Sequence, residues 1–354
     1  MPEKETDTVR KQSKKRKLLF TVLFVIINIS VVAVTAVFEF SKDASKAEQI
    51  PFLGLNFRYL IAAAGCVAVL LLAETLKYML MMKHNTGKSD FKLAFQVTAI
   101  GKYYDCVTPL NAGGQPFQVH FLSRRGLSRG TAASMPITSY LVSHFVFAVM
   151  SLAVFIFGGD FVSSAAIRVT SYVGLGLYLS IPFAIIFFTV APAAALKVFN
   201  FFIFLLHKLR ILKNRERAEN TMLTEMTNYR DAVIGMSGET MLLLKLGGLS
   251  VCYHTALCSL PFFVLRTFGG AATWIESFCI CVFIYTAINF IPTPGNAGAA
   301  EGSFYLLFSV LTSNYLFWAM LVWRFFCYYC FIAIGACVLA WGAVRKRKQS
   351  APSQ

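Results

Sequence analysis

The sequence predicts an all-α polytopic membrane protein with about six spanning helices, two oppositely oriented re-entrant hairpins and an inverted repeat. Three observations carry that expectation. Hydrophobic residues make up 57% of the 354 and charged residues only 14%, and several apolar runs reach the ~20 residues needed to cross a bilayer. Lys and Arg gather at the ends of those runs, the pattern that marks a cytoplasmic side. Two apolar stretches are broken by Pro- and Gly-rich segments, at 108–116 and 292–302. Pro lacks the N–H that a helix needs, and Gly admits backbone shapes that other residues resist. Interrupted backbone at membrane depth is tolerated only where protein buries it or it faces a water-filled cavity.

Residues 1–17 read as a polar, basic cytoplasmic tail ending in Lys14-Lys15-Arg16-Lys17. The mostly apolar stretch of about 23 residues after it exceeds the usual core of a cleaved signal peptide, so 18–40 reads as a signal anchor. A second span is expected at 57–81. Residues 91–122 bear basic residues at both ends, and their second apolar leg is too short to cross. They read as a hairpin that dips in from the cytoplasm and returns. Spans at 131–157 and 169–190 come next. Segment 195–239 is the long polar linker. Leu196, Phe199, Phe202, Ile203 and Leu206 have helical spacing there, followed by a basic run, as on a helix lying at the inner leaflet. Met222, Met226, Tyr229 and Val233 form a second stripe. A fifth span is expected at 240–265, a second hairpin with legs 274–291 and 303–311, and a sixth span at 315–344. Residues 345–354 form a basic tail, with both termini cytoplasmic. The membrane domain is thus 18–344, in halves 18–157 and 169–344.

Charge counting supports this threading. Of 33 Lys and Arg, five fall on the assigned outer side (Lys42, Lys46, Arg58, Arg168, Arg266), Arg324 lies within the sixth span, and the remaining 27 lie on the inner side. The second half then repeats the first upside down. Asn111-Ala112-Gly113-Gly114 corresponds to Asn296-Ala297-Gly298-Ala299. Inverted repeats with discontinuous helices near the midplane are how many secondary transporters build a site.

The return legs should begin near Gln115 and Ser303, and a helix N-terminus carries unpaired N–H groups and about half a positive charge. Two such ends facing one cavity favour an anion such as a lipid phosphate. The head-group residues expected are Asn111, Gly113, Gly114 and Gln115 from the first break, Pro294, Gly295, Asn296, Gly298 and Glu301 from the second, and Arg324. An ionised group within the membrane is functional or paired. Glu301 therefore either meets a cationic head group or carries a proton, or it caps its helix and pairs with Arg324. Lys102 and Asp105 either gate the inner mouth or form a local ion pair. His144 and His254 read as proton relays or as hydrogen-bonded helix contacts.

Other classes are disfavoured. The net charge of +16 sits at span ends rather than on an aromatic-interleaved face, so no nucleic acid is expected. Cys279-x-Cys281 and Cys327-x-x-Cys330 read as small apolar packing residues, with no His to complete a metal set. No nucleophile motif or phosphate-cradling loop followed by Lys occurs. No metal or cofactor is expected.

At the two breaks the chain resembles the lysylphosphatidylglycerol synthase transmembrane-region family, the flippase part of the multiple-peptide-resistance proteins. The family's Pro-x-Pro-Gly, Gly, Glu pattern is matched by Pro292-Thr293-Pro294-Gly295, Gly298 and Glu301. Its first motif is matched by Thr108-Pro109, Gly113-Gly114 and Pro116, and its last-span Arg and aromatics by Arg324, Tyr328 and Tyr329. Gln115 stands where the family often has Glu, and Gln118 where it often has Arg. The resemblance implies a flippase moving an aminoacylated or otherwise modified phospholipid between leaflets of a bacterial cell membrane, in the setting of antimicrobial peptide resistance. Its implied partners are that phospholipid and a separate lipid-modifying synthase, and an oligomer is compatible with it. Full-length relatives also carry a cytosolic lysyltransferase domain, for which a chain running to Gln354 leaves no expected room. The alternatives are a phosphatidylglycerol lysyltransferase, by family name, and a non-transporting partner of a separate synthase.

Overall fold

The computed structural model describes residue 30 and residues 54–349, except 109–110, 112, 159–164, 209–213, 237, 290, 292, 294, 297, 310 and 312–314. The expected first span, 18–40, falls outside the described residues except for Ser30. Among the described residues the structure is helical, without strands.

The helices are α1 (Phe57–Thr86), α2 (Phe91–Val107), α3 (Gly114–Arg124), α4 (Arg129–Phe157), α5 (Ala165–Val190) and α6 (Pro192–Lys208). They continue as α7 (Arg215–Met236), α8 (Thr240–Thr267), α9 (Trp274–Ile288), α10 (Ala299–Phe308), α11 (Leu316–Arg324) and α12 (Cys330–Gln349). Among the described residues four stretches are long and apolar enough to cross a membrane: α1, α4, α8 and Leu316–Gly342. The starts obey local chemistry. The Asp90 carboxylate accepts from the Leu93 N–H (3.1 Å) at the head of α2. Ser128 does the same for Thr131 (3.2 Å) at the head of α4. Thr273 and Glu276 form a reciprocal capping box at the head of α9. Gly87, at φ +71, closes α1 in the left-handed conformation.

The expected sixth span falls on Leu316–Gly342, long and apolar enough to cross a membrane, with one departure in its backbone. The sixth span is not a continuous α-helix: Phe325–Tyr329 forms a π-helical segment between α11 and α12. Such a segment adds a residue to the turn and rotates the helix beyond it, and it often accompanies a functional site. Here it carries Tyr328 toward the same interior as Arg324.

Helices α1 and α8 pack along most of their lengths. They run antiparallel: the Asn56 N–H, at the start of α1, donates to the Thr267 carbonyl at the end of α8 (3.0 Å). At the other end His84 lies 3.9 Å from Glu239. These two helices are the expected equivalents in the repeat, and inversion requires them to run oppositely. The α2–α3 hairpin packs on one end of the pair, where Leu122 joins a core with Met82 and Leu246. The α9–α10 hairpin is rooted at the other end, where the Trp274 indole donates to Ser259 (2.9 Å). Close approaches tie in the outer helices. A Cβ at Gly335 of α12 would strike Tyr103 and the Ala99 carbonyl of α2, and one at Gly174 of α5 would strike the Thr286 carbonyl of α9. Helices can pack this closely only where small residues let the backbones meet.

Candidate functional site

The second break is built around Arg324, the last residue of α11 and 7% exposed. Its Nε donates to Glu301 Oε1 at 2.6 Å. Its Nη1 and Nη2 donate to the carbonyls of Gly295 (3.2 Å) and Asn296 (3.4 Å). Glu301 Oε2 accepts from the Gly298 N–H (2.6 Å), closing the N-terminus of α10. Of the two readings of Glu301, capping and pairing is therefore the geometry present. The backbone needs it, because a break leaves carbonyls without helical donors and a guanidinium supplies five N–H groups in a fixed fork. Gly295 (φ +59), Asn296 (φ +55) and Gly298 (φ +84) are all left-handed.

The first break is built alike but without an arginine. Thr108 Oγ1 accepts from the Gly113 N–H (2.8 Å) and donates to the Tyr104 carbonyl (2.7 Å). The Asp105 carboxylate accepts from the Gly114 N–H at the head of α3 (2.9 Å). Asn111 is left-handed (φ +51), like Asn296. Each asparagine precedes its return helix by three residues, so the two breaks share a register as well as a composition. The local Lys102–Asp105 ion pair is not formed. The Lys102 ammonium turns instead to the Tyr253 hydroxyl of α8 (2.8 Å), lying 4.5 Å over that ring.

The two breaks wall one cavity of ≈ 240 Å³, room for roughly eight water molecules. Asn111 comes from the first break, Gly295 and Asn296 from the second; Lys102, Asp105 and Arg324 supply charge. Tyr328, from the π segment, spans them. Its hydroxyl donates to the Cys106 carbonyl at the end of α2 (3.3 Å), and its ring lies where a Cβ on Gly295 would go. Gly113, Gly114, Gln115, Gly298 and Glu301 are not in the wall; the glycines shape the backbone behind it. Pro294 lies outside the described residues. Gln118 is also turned away, its amide donating to the Val97 carbonyl to hold α3 against α2 (3.2 Å).

Sequence reasoning misses several polar residues of the interior. Glu74 and Lys77 of α1 form a buried ion pair (2.7 Å), and Ser139 donates to the same carboxylate (2.8 Å). Lys77 counts among the inner-side charges by position, yet it is wholly buried. The signal is present: two ionisable residues three apart inside an apolar span, which is seldom tolerated without a role or a partner. Tyr253, which receives Lys102, has no such signal. His144 Nε2 lies 2.9 Å from the Tyr178 carbonyl, and His254 Nε2 3.0 Å from both the carbonyl and the hydroxyl of Ser143. Both are helix-to-helix contacts, and His254 also lines the cavity. The described residues hold no cluster of three or more His, Cys, Asp or Glu suited to a metal.

A membrane protein of Archaeoglobus fulgidus, described as a UPF0104 membrane protein, is 24% identical over 324 residues, covering 89% of this chain and 96% of that protein. No solved structure matches. Residues 17–335, which hold both hairpins and the Arg324 site, match the family described as Lysylphosphatidylglycerol synthase TM region, and the chain belongs to that family.

Proposed function

We propose that this protein moves a polar phospholipid, aminoacylated or otherwise modified, between the leaflets of a bacterial cell membrane. In this reading six helices span, the two hairpins re-enter from opposite leaflets, and both termini are cytoplasmic. The observation that carries it is the meeting of the two breaks in one charged cavity. Broken helices facing a buried polar space are the usual construction of a midplane transport site. The cavity suits a head group rather than a whole lipid, leaving acyl chains to the bilayer. A separate synthase would supply or consume the modified lipid.

The test is a leaflet-resolved assay in vesicles holding the purified protein, using acyl-labelled phospholipids. Movement faster than in protein-free vesicles, lost in Lys102→Gln, supports the reading. No movement of any phospholipid overturns it.

A further inference from the structure

Resting on that reading, we infer that Asp105 takes up and releases one proton with each lipid moved, so that a proton gradient drives the transport. The two breaks are built alike, and their electrical difference carries the argument. In each, a carboxylate accepts from an N–H at the head of the return helix: Glu301 from Gly298 and Asp105 from Gly114. Glu301 is also bound to the Arg324 guanidinium (2.6 Å), as Glu74 is to Lys77 (2.7 Å). A proton on either would leave a buried cation without its counter-charge. A proton on Asp105 breaks no ion pair, because the neighbouring Lys102 ammonium is bonded to the Tyr253 hydroxyl. Asp105 is also the carboxylate that lines the cavity shared by the two breaks; Glu74 and Glu301 do not.

The proton goes on and off one oxygen. Asp105 Oδ1 holds the Gly114 N–H, which leaves Oδ2 to form an O–H with a proton from water on one side and to return it to water on the other. The titratable and charged groups that face Asp105 are Lys102 and Cys106 on α2, Glu74 and Tyr78 on α1, and Tyr253 on α8. Arg324, His254 and Tyr328 also line the cavity, each bonded elsewhere, to Glu301, Ser143 and Cys106. Glu74 is offset by Lys77, so the field at Asp105 is set by Lys102. Uptake of the proton has two consequences. The wall gains one unit of positive charge beside Lys102, and every phospholipid presents a phosphate to it. The hold of Asp105 on the positive end of α3 also weakens, since an ionised acceptor binds an N–H about twice as strongly as a neutral one. A Cβ at Gly114 would strike that carboxylate, so α3 sits directly on the group that changes. One event thus alters both the charge that meets the lipid and the hold on the first hairpin, the differential contact that coupling requires. Ionisable residues inside membrane proteins commonly serve as such relays.

The experiment places a pH gradient across vesicles that contain the full chain and acyl-labelled phosphatidylglycerol, lysyl-phosphatidylglycerol or phosphatidylethanolamine. Potassium and valinomycin hold the membrane potential at zero, and protein-free vesicles serve as the baseline. Label should accumulate in one leaflet beyond equal distribution, by at least about twofold and at most about tenfold for a gradient of about one pH unit. A protonophore should abolish the excess. Asp105→Asn should abolish it too, with thermal melting confirming the fold. Asp105→Glu should keep it and shift the pH at which movement is half-maximal; it carries the test should the asparagine variant fail to fold. Protein-dependent movement that stops at equal distribution under every gradient overturns this inference and leaves lipid transport standing. So does accumulation that persists in Asp105→Asn, or an unchanged pH profile in Asp105→Glu. Movement of none of the lipids overturns both.

Discussion

Arg324 shows how one residue can hold a loop that has no helix to hold it. Its guanidinium meets the Glu301 carboxylate and two carbonyls of the break, and the pair is nearly out of solvent, with side chains 8% and 13% exposed. Removing one partner strands the other. Arg324→Gln or Glu301→Gln should each destabilise the fold by about 3–5 kcal/mol, read as a lower melting temperature in detergent. The double variant should lose clearly less than the two singles summed. Both residues are legible in the sequence, because a charge inside an apolar run stands out. Their pairing partners among the backbone carbonyls are not, since those depend on how the break folds. The left-handed asparagines offer a second check. Asn111→Gly and Asn296→Gly should retain the break, whereas Asn296→Val should cost about 1–2 kcal/mol from backbone strain.

The elements of interest are the two helix–break–helix hairpins and the π segment between them. The hairpins are readable, because Pro and Gly end helices wherever they stand and the short return legs are bounded by basic or polar residues. Their bounds shift modestly: α9 ends at Ile288 and α10 starts at Ala299, not at the expected 291 and 303. The π segment is not readable, since Phe325–Tyr329 is an ordinary apolar run and its extra residue reflects packing. Tyr328 must reach Cys106 on one side and close over Gly295 on the other. Gly295→Ala adds a Cβ into that ring at a left-handed position, so it should abolish a stable fold or any transport. Tyr328→Ala in the same chain should partly restore folding, measured as monodisperse protein after extraction. If Gly295→Ala alone behaves as wild type, the contact between break and π segment is wrong.

For the whole molecule, the question is which ends lie on which side. The antiparallel α1–α8 pair roots one hairpin at each end, so re-entry from opposite leaflets has a direct test. In a cysteine-free background, single cysteines at Lys88 and Gly126 should react with an impermeant thiol reagent from one face. Cysteines at Ala271 and Ser309, both exposed, should react from the other. Labelling of Lys88 and Gly126 from opposite faces would mean that the first hairpin crosses.

The sequence alone determined that this chain is helical and membrane-embedded, where its helices break, and which two ionisable residues belong to the second break. Composition, helix-breaking residues and charge position act locally or through the bilayer, and neither needs a neighbour. The tertiary structure decided that both breaks wall one cavity, that Lys102 answers to Tyr253 rather than Asp105, and that Glu74 and Lys77 are buried together. Those facts depend on residues far apart in the chain meeting across packed helices, and the order of amino acids along one helix does not state what lies opposite it.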